Sequence, residues 1–107
     1  MKALTVLFLT AVLMAAAPVK RTFTGFVTDT MCGTGHVSAT KPDPQGVREC
    51  VRSNPSRWKF GLAVGNDVYV LSDQKAGDKY AGAKVTVAGT LDEKTKTIQV
   101  ESITPAK

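Results

Sequence analysis

The chain is poor in the residues that most often carry chemistry. Its 107 residues include one histidine, two cysteines and one tryptophan, with two tyrosines and four phenylalanines beside it. It has no glycine-rich phosphate loop, no serine elbow, and no pair of carboxylates in a recognisable catalytic frame. Those gaps exclude nucleotide-dependent and serine-hydrolase chemistry of the familiar kinds. Long apolar runs are also scarce, and the single one lies at the start.

Lys2 precedes the apolar stretch 3–14, and Ala15-Ala16-Ala17 follows it. A short charged lead, an apolar run and small residues form the pattern of a signal peptide over residues 1–17. The run is too short for a helix that must cross about 30 Å of hydrocarbon, which takes about 20 residues. No cysteine closes it, so it offers no lipoprotein anchor. The expected product is residues 18–107, a single domain without a stable membrane span, in the periplasm or secreted. Loss of Lys2 would leave a net charge of about +4, from +5 for the whole chain. That charge favours anionic encounters, although most lysines alternate with acidic residues and read as a solvated surface.

What is present is strand pattern. Residues 22–29 are rich in aromatic and β-branched types, and 58–64 and 68–72 flank the turn Gly65-Asn66-Asp67. In 84–91, Val85, Val87 and Leu91 share a face. In 97–101, Ile98 and Val100 alternate inward, with Ile103 closing the edge. Between the third and fourth strands, 72–81 suits a short helix capped by Ser72 or Asp73 and ended by Gly82. Five strands with a helix in that place match an all-β, five-stranded OB-like small barrel. An open meander packed on one helix is the rival arrangement.

The connection 30–57 between the first two strands is far longer than usual and should hold structure or function. Asp43-Pro44 has the form of an N-cap followed by a first-turn proline. Val47, Cys50 and Val51 then fall on one stripe of a short helix, which Asn54-Pro55 ends. The barrel should therefore carry a helical insert between strands 1 and 2.

Both cysteines and the only histidine lie close to this insert, in Asp29-Thr30-Met31-Cys32-Gly33-Thr34-Gly35-His36 and at Cys50. Three chemistries compete for them. A Cys32–Cys50 disulfide suits an oxidising compartment and would close a loop of about 19 residues, worth roughly 3 kcal/mol. Cys32, His36 and Cys50 are also suitable ligands for zinc or copper, with Asp29 as a further candidate. A Cys32 nucleophile activated by His36 is a third arrangement, with glycine amides at 33–35 as oxyanion donors. The disulfide is the leading expectation, with no cofactor needed.

A separate cluster is basic and aromatic: Arg48, Arg52, Arg57, Trp58 and Lys59, with Tyr69 on the following strand. OB barrels bind ligands on the face of their second and third strands. Cationic neighbours of an aromatic suit an anionic ligand. In an exported protein that ligand would be an anionic small molecule or a polysaccharide rather than cellular nucleic acid, which would call for more aromatics.

The stretch Asp-x-Met-Cys-Gly-x-x-His at 29–36, the later Cys50, and the strands around Tyr69-Val70-Leu71, 85–91 and Ile98-Gln99-Val100 together resemble a largely uncharacterised group of small secreted bacterial proteins. The resemblance spans nearly all of residues 18–107 and implies an OB-like fold, with no activity to carry over. Where members bear a further cysteine shortly after the position of Cys50, this chain has Ser53 and Asn54. The combined expectation is a non-enzymatic binding module stabilised by a disulfide. The alternatives are a metal-binding protein and, less favoured, a thiol enzyme.

Overall fold

The computed structural model describes residues 19–33 and 42–107. The signal segment expected at 1–17 and the candidate ligand His36 lie outside the described residues. The elements run β1 (Lys20–Asp29), α1 (Pro44–Ser53), β2 (Phe60–Val64), β3 (Asp67–Leu71), α2 (Gln74–Lys79), β4 (Lys84–Asp92) and β5 (Thr97–Pro105).

The strands close into a barrel in the order β1-β2-β3-β5-β4. All neighbours are antiparallel except β3 and β5, which pair in parallel at Val70↔Thr97 and Leu71↔Ile98. This is the β-rich, five-stranded OB-like barrel expected, with the helical insert between β1 and β2. Closure buries the strand edges. No helix among the described residues is long and apolar enough to cross a membrane.

Strand ends differ from the sequence expectation because pairing, not propensity, sets them. β1 begins at Lys20, since Lys20 and Arg21 pair with Thr90 and Gly89. β5 runs past Glu101 to Pro105 along the start of β4. A bulge at Ala88/Gly89 makes this possible: Gly89 faces Val100 while Ala88 faces Ser102. The extra residue, Glu101, shifts the phase of β5, so Ile98, Val100 and Ile103 all reach the interior side despite uneven spacing.

Val27, Leu62, Leu71, Val85, Val87 and Ile98 form the fully buried centre. Val47 and Val51 of α1 join them, so the insert helix covers one end of the barrel. The start of α1 is as the sequence requires. The carboxylate of Asp43 accepts from Gln45 N at 3.3 Å and Gly46 N at 3.2 Å, and Pro44 occupies the first turn. Its far side is clamped to α2. Arg48 donates through Nη2 to the Asp78 carbonyl at 2.8 Å and through Nε to its carboxylate at 3.1 Å, and Arg52 Nη2 reaches the same carboxylate at 3.5 Å. Gly82, at φ 78°, turns the chain out of α2 directly beneath the start of α1; a Cβ there would stand 2.8 Å from the Pro42 carbonyl.

Asp73, not Ser72, caps α2, accepting from Ala76 N at 3.0 Å. Ser72 instead extends the β3–β5 seam: its amide donates to the Ile98 carbonyl and its hydroxyl accepts from Val100 N. Gln74 completes the junction. Its side chain accepts from Phe60 N at 2.8 Å and donates to the Phe60 and Leu71 carbonyls at 2.9 and 2.7 Å. Gln74→Ala would strand these backbone groups beside the buried Phe60 ring, at a cost of about 1–3 kcal/mol. The expected result is a lower urea midpoint with an unchanged slope; an unchanged midpoint would show that the side chain does not bear on stability.

Candidate metal centre

The site grows out of the end of β1. Strand alternation puts Phe23, Gly25, Val27 and Asp29 on the buried side, so the strand delivers a carboxylate where a core residue is expected. Asp29 is fully buried. Such a group is tolerated only when it is bonded, and the chain bends back to bond it. Oδ1 accepts from Met31 N at 2.9 Å and Cys32 N at 2.8 Å. Thr28 Oγ1 donates to the Gly33 carbonyl at 2.9 Å, and Gly33 takes φ 59°, a left-handed conformation suited to glycine. Thr30 exchanges bonds with Lys59: its amide donates to the Lys59 carbonyl, and its hydroxyl accepts from Lys59 N. The turn 30–33 is thus rooted on both sides.

This turn presents Cys32 to Cys50 on α1. The sulfurs stand 4.0 Å apart, Cys32 exposed and Cys50 half-buried. A disulfide bond is about 2.05 Å long, so the expected Cys32–Cys50 bond is not formed in this structure and the two residues are neighbouring thiols. A carboxylate oxygen of Asp29 and the two sulfurs all lie within 4.8 Å of one another. Of the ligands expected from sequence, Cys32 and Cys50 are therefore brought together, Asp29 joins them, and His36 lies outside the described residues. A shallow, open depression of about 410 Å³ adjoins the exposed thiol, lined by Thr30, Met31, Cys32, Gly33, Asn66 and Val68.

The basic candidates are engaged elsewhere. Arg48 and Arg52 hold Asp78. Arg57 lies over the Trp58 ring, 4.8 Å from its centre. The Lys59 ammonium donates to the Pro55 carbonyl at 2.7 Å. Tyr69 packs against Phe23 of the core with ring centres 5.9 Å apart, and Lys96 stands over it. Tyr69 stands on β3 and Arg48 and Arg52 on α1, and among the described residues no hydrogen bond or ring contact joins Tyr69 to those two.

No family model matches the chain, and neither curated proteins nor solved structures yield a match.

Burial, first, pushes the Cys50 thiol up from its ordinary 9.0 to about 11; the Asp29 charge and hydrogen bonding with Cys32 and Asp29 add to the rise. A thiol so raised is a poor nucleophile near neutrality. Folding therefore favours the protonated thiol. Between 9.0 and about 11 the folded chain holds more proton than the unfolded one, so this group's contribution to stability is intact below that window and is lost as pH rises through it. Urea midpoints at about pH 8 and about pH 10.5 should converge more closely in Cys50→Ser than in the parent protein. An equal alkaline loss in both would show that Cys50 is not the titrating group.

Proposed function

We propose that the chain is an exported, non-enzymatic binding module whose ligand is a thiophilic metal ion held by Cys32, Cys50 and Asp29. The observation that carries this reading is the convergence of two sulfurs and one carboxylate at the rooted end of β1. Zinc–thiolate bonds are about 2.3 Å long, so an ion bonded to two sulfurs 4.0 Å apart subtends an angle of about 120°. That lies close to the tetrahedral and trigonal angles such ions accept, and the sulfurs need little movement. The carboxylate adds an oxygen ligand of the kind zinc takes. Its other role, accepting the Met31 and Cys32 amides, orients the turn that carries Cys32. The exposure of Cys32 gives the ion a way in. Export is supported by the 1–17 pattern, in which Lys2 precedes an apolar run and three alanines.

A second reading has an observation of its own. Thiols already in neighbouring positions in an oxidising compartment are candidates for a disulfide that pins α1 to β1. The binding module would then use another surface.

Intact mass of the protein taken from the exported fraction, before and after reduction, separates the two. The metal reading predicts two alkylatable thiols and uptake of one zinc ion per chain. It also predicts that Asp29→Asn or Cys50→Ser weakens zinc binding by about 10- to 100-fold. A mass two protons light, with no thiol alkylated before reduction and no zinc retained after it, would contradict the metal reading and establish the disulfide.

A further inference from the structure

Met31 has a place that the zinc reading leaves unused. It is 51% exposed, and the one other large apolar side chain so exposed among the described residues is Val19 at 69%, at the beginning of the barrel chain. Single exposed apolar residues are ordinary. What distinguishes Met31 is the company it keeps. Its amide and that of Cys32 both donate to the same oxygen of Asp29, so the roots of the two side chains are fixed relative to each other. Both line the same depression. A methionine side chain has three rotatable bonds and adapts its reach, and its thioether is a soft donor that suits copper(I) far better than zinc.

We infer, resting on the metal reading above, that Met31 supplies a third sulfur to the Cys32–Cys50 pair and that the site thereby selects a soft monovalent ion over zinc. Two thiolates and a thioether then face the ion, while Asp29 holds the turn through Oδ1. Met31 and Cys32 both border the open depression, which gives an ion access to the site from solvent. No redox step is required: the ion binds and leaves as a monovalent cation, and each thiol that coordinates releases its proton to solvent.

Silver(I) serves as a redox-inert probe of this class. The reduced protein, carrying one equivalent of zinc, is titrated with silver nitrate and followed by native mass and by the methionine methyl resonance. That resonance is assigned by its loss in Met31→Leu, a swap that keeps volume and apolar character. Silver should displace zinc at one equivalent, and the Met31 methyl signal should shift with silver but stay in place with zinc. Met31→Leu should bind silver about tenfold more weakly, while its zinc affinity stays within about twofold. A methyl signal unmoved by silver, or equal silver affinity in Met31→Leu, would overturn the role of Met31 while leaving zinc binding at the thiols intact. A reduced protein that binds neither ion would overturn both this inference and the metal reading beneath it.

Discussion

The structure at the end of β1 depends on one buried carboxylate, Asp29. A carboxylate at the last position of β1 is costly unless it is bonded, because water is no longer available to it. Asp29 meets that demand by gathering the amides of Met31 and Cys32, and those two bonds bend the chain sharply as it leaves the barrel. The placement of the first thiol follows from the bend. It lifts Cys32 to the surface, sets Met31 beside it, and aims the exposed thiol back towards α1. Threonines 28 and 30, bonded to Gly33 and Lys59, keep the bend from relaxing.

The second thiol is placed by packing. Val47 and Val51 bury themselves at the end of the barrel and fix the rotation of α1 about its axis, leaving Cys50 at the border between core and solvent. Arg48 holds the same helix from its other side by bonding the last carbonyls of α2. Arg48 thus ties the two helices together. The barrel itself supplies rigidity: a site built at the end of a strand and on a packed helix is held more closely than one built on loops alone.

The strands were legible wherever one face is buried, because alternation of apolar residues leaves a period of two. Both helices were legible too, from Asp43-Pro44 at one and a serine–aspartate pair at the other. Less legible were features that arise only from pairing. The bulge at Ala88/Gly89 depends on which residues of β5 lie opposite, and the isolated Gly89 is its one local mark. Ser72 and Asp73 looked equivalent as caps until the β3–β5 seam claimed the serine. In the site, the two cysteines stood out by rarity. Asp29 left a fainter trace, as a carboxylate in the buried register of β1. The grouping of Arg48, Arg52, Arg57, Trp58, Lys59 and Tyr69 rested on sequence proximity and charge, and neither reveals that Asp78 waits on a distant helix.

The central claim is that two sulfurs and a carboxylate at this bend share one ion. X-ray absorption on the reduced, zinc-loaded protein tests it directly. The account predicts a first shell of two sulfurs at about 2.3 Å, completed by oxygen or nitrogen at about 2.0–2.2 Å, with the sulfur shell lost in a protein lacking both thiols. A shell of oxygen and nitrogen alone in the parent protein would contradict it.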